Sequence, residues 1–152
     1  MPQPEPEAYL AVASRFENIE LVQAVVDDLL GRLGLEEEDR HWIGLAVREA
    51  VANAIKHGNA ADPGKQVEVE VVLEEGEVVV TVRDEGHGFD PQLVANPLAP
   101  ENLLRPGGRG IFYMRSLMDA VDYRFGANGG TEVVLRKKIT PPAAQPEGEE
   151  AR

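Results

Sequence analysis

The sequence predicts an α+β fold in which helices lie on one face of a mixed, mainly antiparallel sheet. Apolar residues recur at helical spacing over residues 19–33, and a second helical stretch follows over 36–57. Further along, valines alternate with polar residues over 67–73 and again over 78–82, with Glu75-Gly76 between them. Two alternating stretches joined by a short turn indicate an antiparallel hairpin. Grouped helices together with hairpins favour a two-layer α/β sandwich.

A short, mostly apolar segment over residues 9–13 precedes the helices and predicts an edge strand. Asn18 is of a residue type that caps helix N-termini, so we expect it to cap the first helix. Gly34 is expected to end that helix and Gly58 the second one, because glycine accommodates the left-handed backbone found at helix C-termini.

The second half of the chain predicts one more helix and one more hairpin. Residues 110–119 carry apolar side chains at helical spacing, and strands over 121–125 and 131–135 flank a glycine-rich turn at 128–130. The stretch 89–107 is rich in proline and too long for an ordinary connection. Long loops of this kind are usually functional lids.

Composition indicates one acidic globular domain with unstructured ends. The chain has 152 residues, and its Pro- and Glu-rich ends, 1–7 and 139–152, flank a predicted domain over 8–138. The formal net charge of −12 disfavours nucleic acid and anionic membranes, which attract Lys/Arg fields. The lack of cysteine excludes disulfides, thiolate nucleophiles and zinc–thiolate sites. Since no hydrophobic signal or membrane-spanning run is found, we expect a cytoplasmic protein.

A carboxylate, an amide and an imidazole follow one another at intervals of four residues on the second helix. Because such steps keep side chains on one helix face, Glu49, Asn53 and His57 are expected to form one polar stripe beside the apolar face. The Asn53 amide is an oxygen ligand suited to Mg²⁺, and Glu49 is placed to deprotonate a hydroxyl. An ordinary polar helix edge explains the same pattern. For His57 a structural role at the helix end is favoured.

Two glycine-containing motifs lie at the ends of later elements. Asp84 ends a strand and is followed by Gly86 and Gly88, so its carboxylate can accept from an exocyclic amine beside room for a flat ring. Residues 107–110 open a helix with three glycines around Arg109, where free backbone N–H groups can bind an anion. Taken singly, each motif is also explained as an ordinary turn.

Two common phosphate-binding motifs are missing from the sequence. Residues 58–66 resemble a P-loop with one residue too many and with Gln66 where Ser or Thr should coordinate Mg²⁺. Gly108-x-Gly110 lacks the third glycine of a dinucleotide fingerprint. A nucleotide bound by this chain would therefore need another geometry.

Taken together, the three motifs resemble those of the GHKL (histidine-kinase-like) ATP-binding superfamily, and best its anti-sigma factor serine/threonine kinase branch. The resemblance lies in Glu49-x-x-x-Asn53-x-x-x-His57-Gly58 (N box), Asp84-x-Gly86-x-Gly88 (G1 box), residues 105–121 (G2 region) and Gly130-Thr131 (a late strand). It covers about residues 8–138 and implies the Bergerat ATP-binding fold.

The resemblance also implies a role for each matching residue. Asn53 would ligate the Mg²⁺ that bridges the phosphates, and Glu49 would be the general base for the attacking serine. Asp84 would bind the adenine amine, with Thr131 assisting through water. The other matches would shape the adenine pocket (Gly86, Gly88) or contact phosphates (Gly108, Arg109, Gly110), with 89–107 as the ATP lid. The family usually has an apolar residue in place of Arg109.

The resemblance finally implies a homodimeric kinase that uses ATP and Mg²⁺. Its substrate would be a serine or threonine of an anti-anti-sigma (STAS-type) protein, and it would also hold a sigma factor. The alternative is an ATP-binding regulatory module that sequesters a sigma factor or another partner without phosphotransfer. A histidine kinase is disfavoured because no helical hairpin carries a phosphoacceptor histidine, and a gyrase-type ATPase because no transducer domain follows.

Overall fold

The computed structural model describes residues 5–86, 115, 117–126 and 129–139. Its helices and strands are β1 (Ala8–Ala13), α1 (Glu17–Arg32), α2 (Glu37–Asn53), β2 (Gln66–Glu74), β3 (Glu77–Arg83), β4 (Ala120–Phe125) and β5 (Thr131–Lys138). A single π-helical turn, Ala54–Gly58, continues α2. The predicted α+β class is confirmed.

The five strands form one open sheet in the order β1-β2-β3-β5-β4, and every pairing among them is antiparallel. The predicted first hairpin is β2–β3, in which Glu74 pairs with Glu77. Its two turn residues, Glu75 and Gly76, have φ angles of 47° and 76°, as a two-residue type I′ turn requires. The predicted edge strand is β1, which pairs with β2 along its length.

Both helices pack on the same face of the sheet, as the sequence predicts. The strand side chains that join them in the hydrophobic core alternate along each strand: Val67, Val69, Val71, Val78, Val80, Val82, Val121, Val133 and Leu135. On the opposite face Val79 and Val134 lie at the bottom of a groove lined by arginines and glutamates. There Arg83 Nε lies 2.6 Å from a carboxylate oxygen of Glu132.

The start of α1 differs from the prediction. The helix begins at Glu17, so Asn18 lies inside its first turn, and the prediction that Asn18 caps it is wrong. The Asn18 amide instead donates to the carbonyl oxygen of Ala13 at 2.9 Å. This bond ties the end of β1 to the start of α1.

The end of α1 agrees with the prediction. Gly34 has a φ of +89°, its N–H donates to Gly31 O at 3.1 Å, and the N–H of Leu35 donates to Leu30 O at 3.1 Å. These two bonds form a Schellman motif. Leu30 and Leu35 are both buried, which completes its usual apolar contact.

The second predicted helix changes its winding at Asn53. After that residue the N–H of Asn59 donates to Ala54 O at 2.8 Å, a bond that spans five residues. His57 therefore lies in the π-helical turn, whereas Glu49 and Asn53 lie in α2. The alignment of the three residues in one polar stripe stays a prediction.

Several predictions fall outside the described residues, namely the lid over 89–107, the first part of the helix over 110–119, and most of the chain ends. Of the predicted unstructured ends, residues 5–7 and 139 are described, and the N–H groups of Glu7 and Ile139 donate to Val71 O and Gly76 O. Of the predicted third helix, Arg115 and Leu117 are helical and Met118 is buried. Among the described residues, none of the helices has both the length and the apolar character that crossing a membrane requires.

Candidate functional site

Three of the polar residues singled out in the sequence line one small cavity between α2 and the sheet. They are Asn53 at the end of α2, Asp84 directly after β3 and Thr131 at the start of β5. The rest of the lining is Ala50, Ala54, Val82, Tyr123 and Val133. An apolar recess with a few convergent polar groups has the lining of a small-molecule site, although its volume of about 10 Å³ is only that of one water molecule.

The carboxylate of Asp84 is buried and held by backbone donors. Its Oδ1 accepts from the N–H of Gly86 at 3.0 Å and from the N–H of Thr131 at 3.1 Å. Burial raises the pKa of Asp84, while these two N–H groups and the charge of Lys65 oppose that rise. Within the described residues these hydrogen bonds use Oδ1, which leaves Oδ2 to receive a donor from a ligand.

Two other cavity residues have buried polar atoms that lack a hydrogen bond within the described part of the chain: Asn53 Nδ2 and Thr131 Oγ1. A buried polar group without a partner costs about 1–3 kcal/mol, and native proteins seldom leave such groups unsatisfied. Because both groups belong to residues that line the cavity with Asp84, a polar ligand there would supply the missing partners.

Glycines allow the backbone to close around Asp84. A Cβ atom at Gly86 would lie 1.5 Å from Gly58 O, and one at Gly130 would lie 2.4 Å from Asp84 O. At Gly58 a Cβ would meet Asp84 Oδ2 at 2.1 Å. Of these three glycines, only Gly86 was assigned a role in shaping the pocket from the sequence. The contact of Gly58 with Asp84 was missed because it joins segments far apart in the chain.

Glu49 lies one helical turn before Asn53 and is half-buried. It is not among the described residues that line the cavity. Burial raises the pKa of Glu49, with the charge of Arg48 acting in the opposite direction. A carboxylate that binds its proton more tightly is a stronger base once ionised.

His57 lies in the π-helical turn and is also half-buried. Burial first, and then the charge of Lys56, lower the pKa of His57. Both effects favour the neutral imidazole over the charged one, and so weaken the interaction with the helix dipole that the sequence suggested for His57.

Tyr123 is a cavity residue that the sequence did not single out, since its pattern indicated only a strand. Burial raises the pKa of its hydroxyl to about 12, with Arg115 opposing the rise. The phenol is thus neutral and provides a flat wall beside Asn53 and Thr131.

The remaining predicted site residues, Gly88 and the phosphate-contacting set Gly108, Arg109 and Gly110, lie outside the described residues. Within those that are described, no group of three or more His, Cys, Asp or Glu side chains is placed to hold a metal ion. A cation at Asn53 would consequently need ligand oxygens from a bound molecule and from water.

Comparison with known proteins relates this architecture to a large group of sequences. A family model described as "Histidine kinase-like ATPase domain" matches residues 12–137. The anti-sigma F factor of Geobacillus kaustophilus (strain HTA426) is 36% identical over 137 residues, which cover 88% of this chain and 92% of that protein. The anti-sigma F factor of Clostridium perfringens (strain SM101 / Type A) is 32% identical over 134 residues, covering 86% and 94%.

Solved structures show the same fold at lower identity. The RsbU and RsbW domains of a Mycobacterium tuberculosis protein match with a TM-score of 0.65 and 23% identity, over 90% of this chain and 34% of that one. A chain of the SiaB–SiaC complex of Pseudomonas aeruginosa matches with a TM-score of 0.62 and 12% identity, over 88% of both chains.

Proposed function

Because the chain belongs to the family of histidine kinase-like ATPase domains, we propose that it is an ATP-dependent serine/threonine protein kinase that acts as an anti-sigma factor. Its protein substrate would be a STAS-type anti-anti-sigma protein, and its second partner a sigma factor in the cytoplasm. The sequence similarity to anti-sigma F factors over most of both chains supports the regulatory part of this proposal.

The observation that carries the ATP-binding part is the cavity shared by Asn53, Asp84 and Thr131. A carboxylate with one oxygen left for a donor suits the exocyclic amine of adenine. The buried hydroxyl of Thr131 can reach the base directly or through water. The apolar lining and the ring of Tyr123 suit the flat faces of the base.

In this proposal the half-buried Glu49 accepts the proton of the substrate hydroxyl as its oxygen attacks the γ-phosphorus of ATP. The phosphoryl group passes to the substrate oxygen, and ADP leaves. Transfer of this kind needs mainly positioning and charge neutralisation. Asn53 can offer its amide oxygen to Mg²⁺, and bound Mg²⁺ would neutralise phosphate charge. Gly108, Arg109 and Gly110 would contact the phosphates through the start of their predicted helix.

Incubation of the purified chain with labelled ATP, Mg²⁺ and a STAS-type protein tests the proposal. Label on a serine or threonine of the STAS protein, located by mass mapping, is the expected result. Absence of transfer despite ATP binding would favour the alternative, a regulatory module that sequesters its partner without phosphotransfer. Light scattering on the same sample tests the proposed homodimer against the chain mass of 16.6 kDa.

We expect Mg²⁺-ATP to raise the stability of the chain. A ligand that binds only the folded state stabilises it by about 2.7 kcal/mol at 100 times its dissociation constant. Thermal unfolding with and without Mg²⁺-ATP measures this effect, and Mg²⁺ with ribose triphosphate, which lacks the base, is the control. An unchanged melting temperature at millimolar Mg²⁺-ATP would contradict both the kinase and the regulatory-module hypotheses.

Replacing Asn53 with alanine is expected to weaken ATP binding by about 10- to 100-fold in the presence of Mg²⁺, as loss of one interaction with a charged group would. Most of this loss should disappear in EDTA, because the amide acts through the cation. Titration calorimetry in both buffers measures the effect. Asn18→Ala, an amide removed far from the cavity, is the matched control. Equal ATP affinity of Asn53→Ala and the unaltered chain would remove Asn53 from the metal site.

A further inference from the structure

Asn59 is the most completely buried polar side chain near the site, with a solvent exposure of 0%. It directly follows the π-helical turn. Its amide makes three hydrogen bonds to three different segments, which is more than a helix end requires.

Two of these bonds hold Asn59 in place. Its Nδ2 donates to Ser14 Oγ at 2.8 Å and to the carbonyl oxygen of Gln66 at 3.0 Å. Ser14 Oγ in turn donates to Lys65 O at 2.7 Å. The donor side of the amide is thus anchored to the end of β1 and the start of β2.

The third bond points to the segment that carries Asp84. Asn59 Oδ1 accepts from the N–H of Glu85 at 2.7 Å, and the carboxylate of Glu85 accepts from the N–H of Gln66. Asp84 itself is fixed on its other side by Thr131, whose carbonyl oxygen accepts the Asp84 N–H at 3.0 Å. Both peptide groups that flank Asp84 are therefore held, the preceding one by Thr131 and the following one by Asn59.

The N–H of Gly86, one residue after Glu85, donates to Asp84 Oδ1 at 3.0 Å. Because Asn59 holds the N–H of Glu85, movement of this segment in its absence would shift a donor that fixes the Asp84 carboxylate. Sub-ångström placement of such a group decides how well it recognises a ligand amine. Gly58 and Gly86 bring the two segments into backbone contact, but glycines permit rotation rather than prevent it. The Asn59 amide supplies the missing constraint.

We infer that Asn59 is a positioning residue for base selection, which fixes the Asp84–Gly86 segment so that the site distinguishes an amino-bearing purine from an oxo-bearing one. The inference rests on the proposed function in that it takes ATP as the ligand. The groups that act directly on the base remain Asp84 and Thr131.

The test compares the affinities of ATP and of inosine triphosphate, which carries an oxygen where adenine carries its amine. The unaltered chain should prefer ATP, because an oxygen facing the Asp84 carboxylate leaves both groups without a donor. In Asn59→Ala the preference should fall by about tenfold or more, through weaker ATP binding with little change for inosine triphosphate. A general loss of stability would instead weaken the binding of ATP and of inosine triphosphate alike.

Ser14→Ala is the matched control. It removes a buried polar contact from the same network and should lower the melting temperature, but it leaves the Asn59–Glu85 bond and the ATP preference intact. If Asn59→Ala does not fold, Asn59→Ser serves in its place, because its shorter hydroxyl does not reach the Glu85 N–H. An unchanged preference in the Asn59 variant, or an equal loss in Ser14→Ala, would overturn the inference. Failure of the unaltered chain to bind or prefer ATP would refute the proposed function, and the inference with it.

Discussion

Replacing Glu49 with alanine is expected to slow phosphoryl transfer by about 10²–10⁴-fold, the usual loss when a general base is removed. The affinity for ATP should stay close to that of the unaltered chain, because Glu49 is not among the described residues that line the cavity. Single-turnover kinetics with saturating ATP and a STAS-type substrate measures the rate. Glu38→Ala removes an exposed carboxylate from the first turn of the same helix and should leave that rate unchanged.

The pH dependence of Glu49 provides an independent check. A base acts only in its ionised form, and burial raises the pKa of Glu49. The rate should therefore fall on acidification at a higher pH than for an exposed glutamate, and this acid limb should be absent in Glu49→Gln. Because the folded-state pKa is raised, the contribution of Glu49 to stability is present at low pH and is lost as pH rises through that pKa. Above it, Glu49→Gln should be more stable than the unaltered chain. Full kinase activity in Glu49→Ala would exclude Glu49 as the base.

Replacing Gly86 with alanine is expected to be among the most disruptive single-methyl changes near the site. The added Cβ would lie 1.5 Å from the oxygen and 2.3 Å from the carbon of the Gly58 carbonyl, so the backbone itself must move. Overpacking of this kind costs about 1–3 kcal/mol and sometimes more, and the movement would displace Asp84 as well. Urea unfolding should show the loss of stability, and calorimetry should show the loss of ATP binding.

Gly44→Ala is the same chemical change, but we expect it to raise the stability of the chain rather than lower it. Gly44 lies inside α2, and a Cβ there would meet the flexible Gln23 side chain at 3.5 Å, an ordinary contact. Alanine in a helix interior is more stable than glycine by about 0.5–1 kcal/mol. If Gly86→Ala kept the stability and ATP affinity of the unaltered chain, the close approach of the two segments would be disproved.

The strands and their pairing could be predicted because alternation and turn chemistry are local signals. Glu75-Gly76 specified the β2–β3 hairpin, and the valines on either side indicated which face is buried. The ends of the helices were harder to predict than the strands. Gly34 correctly indicated the end of α1. Asn18 resembled a cap, but it lies inside the first turn and its amide donates to Ala13 O at the end of β1.

Within the site, Asn53 and Asp84 could be singled out from their positions on a helix edge and at a strand end, whereas Thr131 followed only from the family resemblance. The roles of Gly58 and Asn59 could not be predicted, because each depends on contact between segments distant in the sequence. His57 was placed on the polar stripe because α-helical spacing was assumed to continue. The π-helical turn that carries His57 could not be predicted, because no local pattern indicates it.

The edge position of β1 also bears on how the protein behaves at high concentration. Its six residues carry no charge, and Tyr9 is 54% exposed, whereas the opposite edge strand, β4, carries Asp122 and Arg124. An uncharged edge is a template for edge-to-edge aggregation, which proline and charged residues beside it prevent. Glu5, Pro6 and Glu7 directly precede β1. We therefore expect a chain trimmed to Ala8 to aggregate more readily through this edge.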